Sequence, residues 1–112
     1  MEKVQARDFY KEQLDYLSAK DVDGLIDNHY NEDAVLVSFD LVVKGRDALK
    51  AHFRQYLQTL GHLELKSTNK FRAGADFLFF EASVITDLGS VEVYDAMMLT
   101  RGKISYHFTG VK

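Results

Sequence analysis

The hydrophobic pattern of the chain changes its period once. Up to about Gly61 the apolar residues recur at helical spacing, and after Gly61 they alternate with polar residues. Helices followed by a run of strands are typical of the α+β class rather than of repeated strand–helix–strand units. We therefore expect one α+β domain that spans residues 1–112.

Three helices are predicted before Gly61. The first covers Glu2–Leu17, and Asp21 is a favourable N-cap for a short second helix. Gly45-Arg46-Asp47 opens the third helix, which Gly61 ends. The apolar face of the first helix consists of Ala6, Phe9, Tyr10, Leu14 and Leu17.

The strands are predicted from alternation and turn residues. A tight turn at Leu88-Gly89 would pair Ala82 with Asp95, Val84 with Val93 and Phe80 with Met97. A slip of one residue would turn every side chain to the other face. The predicted strands are Ala34–Phe39, Leu41–Lys44, His62–Arg72, Phe77–Thr86, Ser90–Thr100 and Ile104–Val111. The inner face of the central pair would carry Leu78, Phe80, Ala82, Val84, Val91, Val93, Met97 and Leu99.

The sequence leaves open which residues of the last strand point toward the core. One alternative points Ile104, Tyr106 and Phe108 toward the core. The other points Ser105, His107 and Thr109 inward. The two-residue turn before the strand favours the first alternative.

Asp95 interrupts the apolar inner face. In the predicted register it lies between Val93 and Met97, so its carboxyl group must be neutralised, paired or strongly hydrogen-bonded. A register error would instead place it beside Glu92 in solvent. An inward Asp95 is a candidate catalytic group.

Two further polar residues interrupt apolar helix faces. Gln13 lies within the apolar stripe of the first helix, and its amide needs partners that either backbone carbonyls or a ligand can supply. His29 lies on the inner face of the second helix and is a candidate acid or base, although a core histidine with a satisfied hydrogen bond fits the pattern too. The other candidate ligand-binding residues are Tyr10, Tyr30, Ser38, Phe53, Tyr56, Phe80, Val93 and Met97.

Composition excludes several classes of function. The formal net charge is -3 and no basic stripe is present, so a nucleic-acid partner is not expected. No apolar run reaches the roughly 18–20 residues of a membrane span. The chain has no cysteine, and its four histidines lack ligand spacing, so we expect no metal site and no cofactor. The polar start Met1-Glu2-Lys3-Val4 favours a cytoplasmic location.

The opposite face of the strands is too apolar for a surface left in water. It would carry Phe77, Phe79, Ile85, Tyr94 and Met98 together with Glu81, Ser83 and Glu92. Such a patch usually marks an interface. The interface would consist of Phe77, Phe79, Tyr94 and Met98, and its cover would be a second copy of the chain in a homodimer or, as the alternative, the C-terminal strand or a neighbouring domain.

The order of elements resembles the SnoaL-like branch of the nuclear-transport-factor-2-like superfamily. The resemblance spans nearly the whole chain and rests on the segments Ser18-Ala19-Lys20-Asp21-Val22-Asp23-Gly24-Leu25, Tyr30-Asn31-Glu32-Asp33-Ala34-Val35, Lys44-Gly45-Arg46-Asp47-Ala48-Leu49 and Gly102-Lys103-Ile104. It implies a cystatin-like cone, in which three N-terminal helices pack in the concave face of a strongly curved, mixed and mostly antiparallel sheet. It also implies a pocket at the open end of the cone and homodimers that pair sheet to sheet.

The resemblance also bears on individual residues. Asp95 matches the aspartate that ketosteroid isomerases keep protonated for donation to a developing oxyanion. Gln13 matches a tyrosine that binds the substrate oxygen. Ser38 stands where the isomerases have their aspartate base, and Asp40 lies two residues later. Without that base, steroid isomerisation is not expected.

Two hypotheses from different classes follow. In the first, the pocket takes a small apolar or aromatic metabolite, as a binding protein or as an isomerase, cyclase or dehydratase. In the second, the cone is packed solid and the chain is an interaction module that works through its outer sheet face. The identity of the ligand is open, because a fold with this many uses warrants no single activity.

Overall fold

The computed structural model describes residues 3–112, with three helices and six strands. In chain order they are α1 (Lys3–Ala19), α2 (Val22–His29), β1 (Tyr30–Val37), β2 (Val42–Lys44), α3 (Arg46–Leu60), β3 (Leu63–Ala73), β4 (Phe77–Thr86), β5 (Gly89–Thr100) and β6 (Lys103–Val111). The predicted start of the first helix at Glu2 lies outside the described residues. The three helices and the four long strands after Gly61 are thus where the pattern predicts them.

Local sequence explains the helix ends. The Asp21 side chain accepts a hydrogen bond from the backbone N–H of Gly24, which caps α2. Gly61 ends α3 with a positive φ of 67°, a conformation that glycine adopts without strain. On α1 the predicted apolar face packs into the core, where Ala6, Phe9 and Tyr10 are buried.

The six strands form one open, mixed sheet in the order β2-β1-β6-β5-β4-β3. The β1–β6 pair is parallel and all other pairs are antiparallel. The helices supply one side of the core and the sheet the other, with Leu25, Ile26, Leu49, Leu78 and Ile104 fully buried between them. The predicted α+β cone with a mixed, mostly antiparallel sheet is confirmed.

The predicted register between β4 and β5 is wrong by two residues. Thr86 pairs with Gly89, so the turn centres on Asp87-Leu88, and Phe80 rather than Ala82 lies opposite Asp95. Because a shift of two residues returns each side chain to the same face, the predicted inner face survives the error. Asp95 remains on that face.

Neither predicted set of inward-pointing residues holds along the whole last strand, because a bulge changes which residues face the core. Leu99 pairs with Ile104 but Met98 pairs with Tyr106, so Ser105 is an extra residue in a bulge. Ile104 is buried before the bulge, and His107 is buried after it. The favoured phase is therefore correct for Ile104 and wrong for Tyr106 and Phe108, which are exposed.

The first strand begins earlier than predicted. Tyr30 already pairs with Ile104 in the parallel ladder, so β1 covers Tyr30–Val37. The strand ends before Ser38, where the backbone turns back at Leu41. Within residues 3–112, the helices are too short or too polar to cross a bilayer.

Candidate functional site

A cavity of about 430 Å³ opens between α1, α3 and the inner face of the sheet. Its walls are mainly apolar, with a few polar groups at defined points, as in most small-molecule sites. Nine of the eleven predicted site residues line it: Tyr10, Gln13, Ser38, Phe53, Tyr56, Phe80, Val93, Asp95 and Met97.

Asp95 is paired with a histidine on the cavity wall. Its Oδ1 atom lies 2.7 Å from Nε2 of His107, and the two side chains are 14% and 5% exposed. The bulge in β6 makes this contact, because it turns His107 to the same face as Asp95. The hydrogen bond uses Oδ1, so Oδ2 is the oxygen with which Asp95 can meet a ligand.

Tyr30 lies behind this pair rather than on the cavity wall. Its hydroxyl group is 2.8 Å from Nδ1 of His107 and accepts a hydrogen bond from Nε2 of Gln13 at 3.1 Å. The side chain is fully buried, and the Phe53 ring of α3 packs against it with a centroid distance of 6.0 Å. Burial raises the pKa of Tyr30 far above its ordinary value, so the hydroxyl group stays protonated.

His29 also lies away from the cavity. Its ring stacks on Phe9 with centroids 3.9 Å apart, and its Nδ1 is 2.7 Å from Oε1 of Gln13. Its Nε2 is 3.1 Å from Oε2 of Glu12. Burial lowers the pKa of His29, and its hydrogen bond to the Glu12 carboxylate opposes that shift. α2 packs His29 against α1, which keeps its ring out of reach of a ligand in the cavity.

Two aromatic side chains of α3 and one of α1 flank the Asp95–His107 pair. Burial raises the pKa of Tyr56 and of Tyr10, and the nearby Asp95 carboxylate adds to the rise in both. The pKa of His52 is lowered, first by burial and then by His107. The two tyrosines therefore remain hydrogen-bond donors at neutral pH. Tyr10 is bonded to Thr68 at 2.8 Å.

The arrangement of this site is suited to acid–base chemistry. A carboxylate bonded to an imidazole can accept or return a proton in an apolar cavity, where water competes poorly. Within residues 3–112, no three acidic or histidine side chains converge in a way that could hold a metal ion.

Comparison with known proteins defines the fold. No family model matches the sequence, and no curated protein matches it. Among solved structures, an NTF-2 like protein of unknown function from Burkholderia xenovorans LB400 is 15% identical, with a TM-score of 0.80 over 98% of this chain and 84% of that chain. A candidate isomerase of the SnoaL-like family from Agrobacterium tumefaciens is 15% identical, with a TM-score of 0.81 over 97% and 98% of the two chains. The chain has the NTF2-like fold.

A third structural neighbour was crystallised with a small molecule. TerC, co-crystallised with polyporic acid, is 12% identical to this chain, with a TM-score of 0.79 over 96% of this chain and 92% of that chain. The resemblance drawn from the sequence is confirmed by these structures at the level of the fold.

The turn between β1 and β2 lies at the mouth of the cavity. The Ser38 hydroxyl oxygen accepts hydrogen bonds from the backbone N–H groups of Asp40 and Leu41. Ser38 therefore shapes the turn as well as lining the cavity. The turn bends Asp40 into the cavity lining, while Phe39 at its tip is 96% exposed.

Two histidines of this site were not among the predicted site residues. His107 was one of two alternatives for the last strand, and only the bulge at Ser105 decides between them. His52 lines the cavity beside Phe53 and stacks on Tyr56 with a centroid distance of 6.2 Å. The signal for His52 was its position four residues before Tyr56, on one side of α3.

Proposed function

We propose that the chain binds a small apolar or aromatic metabolite in its cavity and exchanges a proton with it through the Asp95–His107 pair. The observation that carries this proposal is the 2.7 Å contact between the two side chains on the wall of a largely apolar cavity. A ligand with a hydroxyl group fits this arrangement, because its apolar body would meet Phe53 and Val93 while its O–H donates to the Asp95 carboxylate. Reactions of the isomerase, cyclase or dehydratase type need such an acid–base group.

The structural neighbours support this proposal. The Agrobacterium tumefaciens protein is a candidate isomerase, and TerC was crystallised with polyporic acid. Both share only the fold with this chain, so the residues of this cavity carry the argument.

Binding of 2-naphthol, a fluorescent aromatic alcohol, tests the proposal. We expect saturable binding that Val93→Trp abolishes, because the larger ring would fill the cavity. Glu92→Trp is the matched control, since Glu92 is the neighbouring residue on the outer face of β5 and exposed. We expect it to bind 2-naphthol as the wild type does.

Asp95→Asn separates binding from proton exchange. This variant should retain 2-naphthol binding within about tenfold, since one hydrogen bond is at stake. It should lose the shift in naphthol fluorescence that marks proton transfer to the protein. Absence of binding in the folded wild-type protein, or equal binding by Val93→Trp, would contradict the proposal.

We also propose that two copies of the chain pair through the outer sheet face. Three side chains form one cross-strand row there, Phe77 opposite Met98 and Met98 opposite Tyr106. A second row contains Phe79 and Phe108 on either side of Ala96. The exposed aromatic area of this face favours a second apolar face as its partner.

A further inference from the structure

A chain of five hydrogen bonds joins the cavity to the protein surface. Its inner members are buried, and its outer end, Glu12, is 61% exposed. This series of hydrogen bonds runs Asp95–His107–Tyr30–Gln13–His29–Glu12, with successive donor–acceptor distances of 2.7, 2.8, 3.1, 2.7 and 3.1 Å. Such a continuous network is stronger and more directional than its separate members.

The Gln13 amide sets the direction of the bonds on the cavity side. Its Nε2 donates to the Tyr30 oxygen, so the Tyr30 O–H donates to Nδ1 of His107. His107 then carries its hydrogen on Nε2 and donates it to Asp95. In this orientation the Asp95–His107 contact is complete without any additional proton.

The same orientation leaves the surface end short of one hydrogen. Oε1 of Gln13 accepts from Nδ1–H of His29, so a neutral His29 presents a bare Nε2 to the Glu12 carboxylate. Two acceptors 3.1 Å apart repel each other unless a proton lies between them. A proton held by His29 and Glu12 therefore completes the chain.

Rotation of the amide by half a turn moves the missing hydrogen to the other end. Tyr30 then donates to Gln13, His107 donates to Tyr30 from Nδ1, and the bare Nε2 of His107 faces Asp95. At that end the 2.7 Å contact needs the extra proton. Because an amide's oxygen and nitrogen ends are nearly the same size, both orientations fit one space.

We propose that Gln13 is a positioning residue that couples the proton occupancy of the Asp95–His107 pair to that of the His29–Glu12 pair. When the inner pair, Asp95–His107, takes one proton from a bound molecule, the Gln13 amide rotates and the outer pair, His29–Glu12, releases one proton to solvent. The return of that proton restores the first orientation. The role of this coupling in turnover rests on the proposed function, but the coupling itself is a property of the protein without a ligand.

Other charges act on the two ends of the chain from the neighbouring elements. His29 is faced by Glu12 on α1 and by Lys103 on β6, whose charge lowers the pKa of His29. The Tyr16 ring also meets the edge of His29. On the cavity side, His107 is faced by Asp95 on β5, Tyr30 on β1 and His52 on α3. Apart from Glu12, which the first variant replaces, these groups stay in place in the variants below.

Glu12→Gln tests the coupling at an exposed position. The new amide donates to Nε2 of neutral His29, so the outer end no longer needs a proton and the first orientation becomes more stable. The inner pair should then take up its proton less readily. We expect the pH at which the ¹⁵N signals of the His107 ring change to fall by about half a unit or more, the effect of one neutral hydrogen bond.

Asp8→Asn is the matched control, because it removes one exposed negative charge from the same helix without contact to His29. It reports the purely long-range effect of that charge, which should be small at physiological salt. A Glu12→Gln shift no larger than that of Asp8→Asn would overturn the proposal.

Gln13→Met tests whether the amide transmits the effect. Adding Glu12→Gln to Gln13→Met should shift the pH at which the His107 ¹⁵N signals change no further than Asp8→Asn does, because Gln13→Met has already broken the series of hydrogen bonds.

The ring tautomer of His107 gives a measurement that needs no variant. At a pH at which the His29 ring carries its proton, the neutral wild-type His107 ring should show the ¹⁵N spectrum of the Nε2–H form, and the Nδ1–H form would overturn the proposal. Both readouts are made without a ligand, so a failure of 2-naphthol binding leaves them interpretable.

Discussion

Tyr30 is the residue on which the buried polar network depends. Its hydroxyl group donates to His107 and accepts from Gln13, and no other group replaces it within the described residues. Every buried polar side-chain atom of the described chain has a partner. Loss of this one hydroxyl group would leave a donor and an acceptor unpaired in the core, where water cannot replace the bond.

Tyr30→Phe should therefore destabilise the protein without leaving a space in the core. We expect the free energy of unfolding in urea to fall by roughly 2–6 kcal/mol, because two buried groups lose their partner at about 1–3 kcal/mol each. Tyr106→Phe removes the same group from an exposed ring and should change the free energy by less than about 0.5 kcal/mol. Equal losses in the two variants would contradict the assigned network.

The sequence predicts the direction and burial of individual side chains better than it predicts their partners. The inward direction of Asp95 follows from alternation, because any even shift of register preserves the face. The partner of Asp95 could not be predicted, since it depends on a single extra residue, Ser105, in the next strand. For His29 the pattern indicates burial, and burial against α1 is what the structure shows.

At the scale of elements, helices and long strands are the most predictable features. Hydrophobic spacing and the turn residues Gly61 and Gly102 mark them, and these signals are local in sequence. The length of β1 was underestimated because its first residues pair in parallel with β6, more than 70 positions away. The β4–β5 register was missed by two residues because the choice between adjacent two-residue turns depends on the fit of both strands.

The parallel β1–β6 pair also explains the position of the site. It brings Tyr30 beside His107, although 77 residues separate them along the chain. β5 then supplies Asp95 from the other side of β6. The acid–base pair is thus held by the centre of the sheet, which is the most rigid support that this fold offers.

The whole molecule has two surfaces that the sequence marks as unusual. The inner face of the sheet closes on a cavity, and the outer face exposes Phe79, Met98, Tyr106 and Phe108 to solvent. A lone domain rarely leaves such a contiguous aromatic patch uncovered. The two faces are independent, so pairing through one leaves the other free for a ligand.

Phe79→Glu should convert the proposed dimer into a monomer. A charge placed in the centre of a symmetric apolar interface would be buried twice, once from each copy. Sedimentation equilibrium at several protein concentrations measures the result. The control is Phe39→Glu, because Phe39 is even more exposed but lies at the cavity mouth, and this variant should stay dimeric. A wild-type protein that is monomeric at all concentrations would contradict the prediction.

The central claim is that Asp95 and His107 face a space that a small molecule can occupy. A high-resolution crystal structure of the protein with 2-naphthol tests it most directly. We predict that the naphthol oxygen lies within 3.2 Å, about the limit of a hydrogen bond, of Asp95 Oδ2 and that its rings pack between Phe53 and Val93. A cavity filled by protein side chains, or an Asp95 side chain turned to bulk solvent, would contradict the account.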